Sequence, residues 1–410
     1  MDNLRIGSKR LIKDINRALV VKEVREKGPI SRSALARRTG LVLSTITKLC
    51  DELVAANLLF EFGEGKSTGG RRPVNLLFNN SFGYTIGVKI EDSSAVFSLA
   101  NLKPTILKHR SVPFALRSSF EKVLPLLFEG IESMIREIPA EAADSTAASA
   151  GSPLLGIGIA VSGLVDPDSG ILRFSSLLGW ENVEFASIVG ARFGTEVRVD
   201  NDVNCYALAQ NWLGKGKDSQ NFVCITIGEG IGSGVIIGNQ LYRGAAGGAG
   251  EIGHMIVRGE GRPCYCGQKG CLEAYASTKS ILDAVHHRKR RRLSLEEVLE
   301  LARAGDSDCL EVLEAAGHAI GWGLVNVVMQ YNPEKIILGG EGIVEREFIV
   351  PAILEELDRN WFNRRTAYRT PLEIEELGNE NFLLGAAILV LSDLLGQPIY
   401  NEKRTLVAGI

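Results

Sequence analysis

The chain has 410 residues, 45% of them hydrophobic and 23% charged, with a formal net charge of −3. At roughly 100–200 residues per domain this leaves room for more than one core, and the near-neutral total excludes a uniformly basic nucleic-acid coat. The charge is uneven: residues 1–73 hold 15 Lys/Arg and 8 Asp/Glu, a balance of +7, which leaves −10 on the remainder. A basic end on an acidic body points to a nucleic-acid head joined to something else.

In chain order, Ile12, Ile15, Leu19, Val20 and Val24 recur at helical spacing over residues 12–27, and Gly28-Pro29 ends that segment. Ser31 is placed to cap a short helix carrying Ala34 and Leu35, and Gly40 to turn the chain. A third helix follows, with Ile46, Leu49, Cys50 and Leu53 on one face and Ser44, Thr45, Thr47, Lys48 and Asp51 on the other. Leu58–Phe62 and Val74–Phe78 read as strands around a Gly-rich tip, a hairpin or wing that carries Arg71 and Arg72. Three helices and a wing fit a winged helix-turn-helix. Its third helix would bring Ser44, Thr45, Thr47 and Lys48 to base edges and phosphates, and the wing arginines would neutralise phosphates or enter a minor groove. Helical periodicity alone fits a small helical domain with solvated charges equally well; the wing and the local +7 favour DNA.

From Tyr84 the texture changes. Strands are expected at Tyr84–Ile90, Ala95–Ala100, Gly156–Val161, Val197–Val199, Phe222–Ile227, Val235–Ile237 and Ile336–Leu338. Helices are expected over 119–138, through much of 272–330 and at Phe382–Leu395, with a surface loop at 139–153. Interleaved strands and helices argue α/β layers. The basic run His286–Arg292 reads as a solvated helix end. Residues 214–270 hold 16 of the 45 glycines. No unbroken apolar run reaches the ~18 residues of a membrane span, and the amino terminus lacks the apolar stretch of a secretory signal.

Seven cysteines make an odd count, and three crowd into residues 264–271. That suits a reduced, cytoplasmic protein with a metal site rather than a disulfide framework. His254, Cys264, Cys266 and Cys271 offer three thiolates and one imidazole, a closed tetrahedral set that favours structural Zn(2+). The bland alternative is three buried or free thiols with His254 satisfied by hydrogen bonds. Cys50, Cys205, Cys224 and Cys309 have no such neighbours and read as packing residues.

Several of these stretches resemble the ROK family, in particular its sugar-responsive repressors of the xylose-repressor type. In the head the resemblance rests on Gly28-Pro29-Ile30-Ser31-Arg32, Leu35-Ala36, Thr39-Gly40-Leu41 and Gly69-Gly70-Arg71-Arg72-Pro73. In the body it rests on Glu251-x-x-His254, Gly261 and Cys264-x-Cys266-Gly267-x-x-Gly270-Cys271-x-Glu273, which resemble the family's zinc motif position by position. The resemblance implies a two-lobed, actin-like ATPase (ribonuclease H-like) α/β body behind the winged head. Its bounds would be residues 1–80 for the head, 81–199 plus 381–410 for the first lobe, and 200–380 for the second. It also implies a sugar effector contacted by Gly163, Asn201, Asp202, Glu251, His254 and Glu273. Carboxylates and amides suit a sugar because one side chain can bridge neighbouring hydroxyls. For Asp202 taken alone, a helix-capping carboxylate is the simpler reading.

Four departures from the family pattern matter. Val42 stands where a small hydroxyl residue usually caps the recognition helix, so the helix start is expected to shift toward Ser44. Ser162 stands where a Pro is common. Lys89-Ile90-Glu91-Asp92-Ser93 replaces the kinase members' Asp-x-Gly-Gly-Thr phosphate turn, and Glu229 adds a negative charge to the second Gly-rich turn, Gly228–Gly234. The expectation is a non-enzymatic repressor. It would bind operator DNA and a small sugar, with no membrane partner, as a homodimer or homotetramer. Two alternatives remain: an active sugar kinase with a DNA-binding head, and a regulator controlled by a protein partner.

Overall fold

The computed structural model describes residues 8–64, 74–139, 154–340, 342–343, 346–366, 368–375 and 380–395. The head begins with helix Lys9–Lys27, capped by Ser8, whose hydroxyl accepts from the Leu11 amide. The short strand β1 (Ile30–Ser31) leads into helix Arg32–Thr39, and Ser31 caps it by accepting from the Ala34 amide at 3.2 Å. Gly40 adopts φ 73°, a left-handed conformation that glycine takes without steric cost. The third helix is Leu43–Ala55. Its start does not shift to Ser44: the Val42 carbonyl accepts from the Thr45 and Ile46 amides, so Val42 occupies the cap position, and its apolar side chain makes no cap hydrogen bond. Ile46, Leu49, Cys50 and Leu53 are buried, as their spacing predicts.

β2 (Leu59–Glu64) and β3 (Val74–Phe78) pair antiparallel, Leu59 opposite Phe78. β1 pairs with the far side of β3, a third strand the sequence reading does not contain. Glu52 ties the third helix to the first through Arg17 at 2.6 Å and Lys13 at 2.9 Å. Val20, Leu49 and Leu53 share one buried cluster with Leu102 and Leu391 of the body, so head and body are packed together.

The body carries two five-stranded sheets. The first contains β4 (Tyr84–Ile90), β5 (Ser94–Asn101), β6 (Ile106–Pro113), β7 (Leu154–Val161) and β11 (Val197–Asn201) in the order β11-β7-β4-β5-β6. β4 to β6 form an antiparallel meander, while β7 and β11 run parallel to β4. β4 is buried along its whole length. Helix Phe120–Arg136 packs beside β5, and helix Glu380–Leu394 lies across β4 and β7. A small antiparallel sheet of β8 (Leu164–Asp166), β9 (Ile171–Ser175) and β10 (Trp180–Val183) follows β7.

The second large sheet has the order β14-β13-β12-β15-β16, from β12 (Phe222–Ile227), β13 (Ile231–Ile237), β14 (Gln240–Tyr242), β15 (Lys335–Gly339) and β16 (Leu372–Ile374). Helices Thr278–Lys289, Leu295–Arg303, Ser307–Tyr331 and Arg346–Arg359 contribute to its core. Ser307–Tyr331 is long and apolar enough to cross a membrane by composition, but it packs on Arg346–Arg359 and its inward face is buried in this core. The basic run ends the Thr278–Lys289 helix, where Arg288 meets Glu311 at 2.7 Å and Lys289 meets Asp306 at 2.6 Å. Helix Asp202–Trp212 lies between the two sheets, touching β12 and β13 on one side and helix Glu380–Leu394 on the other.

Candidate functional site

The site assembles where β11 hands over to helix Asp202–Trp212. Asn201 is the helix cap: its Oδ1 accepts from the Val203 amide at 2.8 Å and the Asn204 amide at 3.3 Å. Its Nδ2 donates to the Gly163 carbonyl at 3.1 Å, so one side chain fixes both the helix start and the turn after β7. That turn needs glycine. Gly163 has φ 127°, and a Cβ there would collide with the Phe174 carbonyl of β9. Asp202 opens the helix, and one of its oxygens accepts from the Val203 amide at 3.0 Å.

Asp200 is a structural member of the site that sequence reasoning missed. It is 3% exposed. It accepts from Asn204 Nδ2 and from the Asn201 amide, each at 2.8 Å, and from Arg243 Nε at 2.6 Å. Arg243 follows β14, so this ion pair joins the first sheet to the second beside Asn201 and Asp202. Nothing in sequence spacing marks residues 200 and 243 as partners; the run Asp200-Asn201-Asp202 was the only hint.

On the facing side, Glu251 precedes the single turn Ile252–His254, and a short hairpin follows, with Cys264 and Gln268 hydrogen-bonded across it. The donor atoms of His254, Cys264, Cys266 and Cys271 all lie within 4.8 Å of one another. Cys264 Sγ is 3.6 Å from His254 Nδ1, and Cys266 Sγ is 3.6 Å from Cys271 Sγ. Metal–ligand bonds of ~2.0–2.3 Å at tetrahedral angles separate donors by roughly 3.3–3.8 Å, which these two pairs match, so the quartet could hold a tetrahedral metal ion. His254 Nε2 faces the Tyr265 hydroxyl at 3.1 Å.

Glu273, two residues beyond Cys271, is 7% exposed, and its Oε2 accepts from the Ile231 amide at 2.9 Å. The loop that carries the cysteines is thereby tied to the glycine turn between β12 and β13. Desolvation pushes the Glu251 carboxyl above its ordinary pKa. His254 opposes that shift, and Glu273 and Asp202 add to it, so these four groups act on one region. Three carboxylates and an imidazole acting on one region can bridge the hydroxyls of a polyol.

The Gly-rich run 228–234 is not an open cradle. Gly228 and Gly230 make a tight hairpin turn, and Gly232 and Gly234 lie within β13. A Cβ at Gly232 would crowd Val203, and one at Gly234 would crowd Ala207 and the Val203 carbonyl. These two glycines let β13 lie against the site helix. At the end of β4, Lys89 is 6% exposed, with its ammonium 4.1 Å from the Phe382 ring centroid and 3.2 Å from Glu91.

On the head, Ser44, Thr47 and Lys48 are exposed and Thr45 is half-buried. Thr47 already donates its hydroxyl to the Leu43 carbonyl at 2.9 Å. Arg71 and Arg72 lie outside the described residues.

The ROK family model matches residues 85–393. The xylose repressor of Caldicellulosiruptor bescii is 31% identical over 408 residues, spanning 96% of this chain and 100% of that one. A solved ROK family transcriptional regulator, a homologue of the Escherichia coli MLC protein, superposes with a TM-score of 0.77 at 27% identity, covering 92% of this chain and 96% of its own. A ROK family glucokinase from Streptomyces griseus, solved with glucose and AMPPNP, gives a TM-score of 0.62 at 26% identity, covering 75% of this chain and 99% of its own.

Proposed function

The chain belongs to the ROK family, and we propose that it is a sugar-responsive transcriptional repressor with no kinase activity. Coverage carries this reading. The repressor aligns over 96% of this chain, whereas the glucokinase spans 99% of itself and leaves a quarter of this chain unmatched. The extra length is what a DNA-binding head supplies.

The head is read as a winged helix-turn-helix spanning residues 1–80. Helix Leu43–Ala55 would enter the major groove of operator DNA, with Ser44, Thr45, Thr47 and Lys48 at bases and phosphates and Arg71 and Arg72 on the wing. Thr47 would serve there as an acceptor, since its proton is given to Leu43. The body is read as two actin-like lobes, 81–199 plus 381–410 and 200–380.

A sugar in the cleft would meet Asp202, Glu251, His254 and Glu273, while Asn201 and Gly163 hold the opposite wall in place. Zn(2+) bound by His254, Cys264, Cys266 and Cys271 would be structural, pinning Glu273 and His254. Its four protein ligands leave no open position for chemistry. Against catalysis stand Lys89 and Glu91 in place of a phosphate turn, and glycines spent on helix packing. Asp202 is then a sugar ligand with no proton to move.

Helix Asp202–Trp212 supplies the route to the head. Its first residue faces the cleft, and its last lies under Arg25 of the first helix, 4.7 Å from the ring centroid. A sugar that shifts this helix would shift the head and release DNA by population shift. In a twofold dimer or a tetramer, two heads would read an inverted repeat. Seven cysteines with no disulfide among them suit a reducing, cytoplasmic setting.

The test is binding of the metal-loaded protein to its own upstream DNA, at fixed salt, across a panel of free and phosphorylated sugars. Tight binding weakened by one sugar supports the reading. Sugar-dependent ATP turnover that is lost in Asp202→Asn would replace it with the kinase.

A further inference from the structure

The start of helix Leu43–Ala55 presents two large apolar side chains to solvent: Val42 is 67% exposed and Leu43 53% exposed. They are adjacent, and they sit in a segment of net positive charge, +7 over residues 1–73. Their placement is rigid. Gly40 donates its amide to the Ala36 carbonyl, and the Thr39 hydroxyl gives its proton to the Leu35 carbonyl while accepting from the Leu41 amide. Val42 also leaves the helix without the side-chain cap that a Ser or Thr would provide. A sequence that gives up a cap and exposes two aliphatic groups at one helix tip needs something for them to touch. Single exposed apolar residues are ordinary on a protein surface, whereas these two are contiguous and stand where a cap would be.

The chemistry of the major groove offers one apolar feature, the thymine C5-methyl group, while its other recognition points are hydrogen-bond donors and acceptors. We propose that Val42 and Leu43 read thymine methyl groups in each operator half-site, so that the protein's specificity is partly apolar. This rests on the repressor reading above. Ser44, Thr47 and Lys48, which share the exposed surface of the helix, would then supply the polar and phosphate contacts around those thymines.

The experiment uses the full-length protein and a duplex recovered by selection from a randomised library, so no operator need be known beforehand. Each thymine is replaced in turn by deoxyuridine, which removes the methyl and leaves base pairing intact. Affinity is read by fluorescence anisotropy at fixed salt. Burying one methyl-sized group is expected to be worth about fourfold in affinity, so substitution at one or two thymines per half-site should weaken binding by about that factor each. Val42→Ser and Leu43→Ser should lose the distinction between thymine and deoxyuridine at those positions. Both residues are exposed, so the variants should keep the fold, checked by circular dichroism. Specific binding that is indifferent to every methyl overturns the proposal and leaves a protein contact as the use of this tip. So does a methyl preference that survives undiminished in both variants. Failure to recover any bound sequence overturns the repressor reading itself, and this inference with it.

Discussion

Replacing Trp212 by Leu should weaken the link between sugar and DNA without touching either site. Helix Asp202–Trp212 has 11 residues and therefore reaches about 16 Å from the cleft to the head at ~1.5 Å per residue. At its far end the Arg25 guanidinium sits over the Trp212 ring. The Arg25 side chain is 23% exposed, and its Nη1 is buried without a hydrogen-bond partner. Burial holds this guanidinium below its usual pKa, and Glu26 opposes that shift. A partly desolvated cation–π pair of this kind is worth about 1 kcal/mol, between the exposed and fully buried cases. That is roughly fivefold in an equilibrium constant. A contact can contribute to coupling no more than its own energy, and does so in full only when one of the two states lacks it. Operator affinity should be measured by anisotropy with and without the effector sugar, and sugar affinity separately by calorimetry. The expected outcome is a sugar response reduced by about fivefold, with sugar affinity for the DNA-free protein within about twofold of wild type. A folded Trp212→Leu protein with an unchanged sugar response would refute the helix as the route.

Asp200→Asn removes the charge that holds Arg243 and should cost about 3 kcal/mol in urea denaturation; Arg243 is partly exposed, which places the cost at the low end for a broken buried pair. Cys266→Ser leaves three of the four residues that could hold a metal. Metal content by atomic emission should fall below one per chain, with a lower Tm, because ligand loss and loop folding are linked. Burial pushes Glu52 up, but Lys13 and Arg17 outweigh it and hold the carboxyl below its ordinary value of 4.5. A lowered pKa gives stability that is present above about pH 4.5 and is lost as pH falls through the folded-state value. Glu52→Gln should therefore cost about 1 kcal/mol at pH 7 and flatten this part of the acid unfolding curve.

What could be read from the sequence was what is local in the chain. The inward face Ile46, Leu49, Cys50 and Leu53 follows from a period of 3.6 residues, and β4, β7 and β12 follow from dense apolar runs. The His254–Cys264–Cys266–Cys271 quartet stood out because three thiols in eight residues have few other uses. β6 escaped notice because its side chains are largely exposed and show no apolar alternation, and β1 because two residues carry no period at all. The strands β8 to β10 and helix Arg346–Arg359 were likewise not foreseen.

The sequence by itself determined the helix faces, the strands buried on both sides and the grouping of three cysteines that could hold a metal, because each depends on residues within a few positions of one another. Only the tertiary structure decided the rest. It paired Asp200 with Arg243, packed Gly232 and Gly234 of the Gly-rich run against helix Asp202–Trp212, and set Trp212 beneath Arg25. Those are choices of partner across dozens of residues. They are settled by how two sheets and one helix fit together, which no local periodicity encodes.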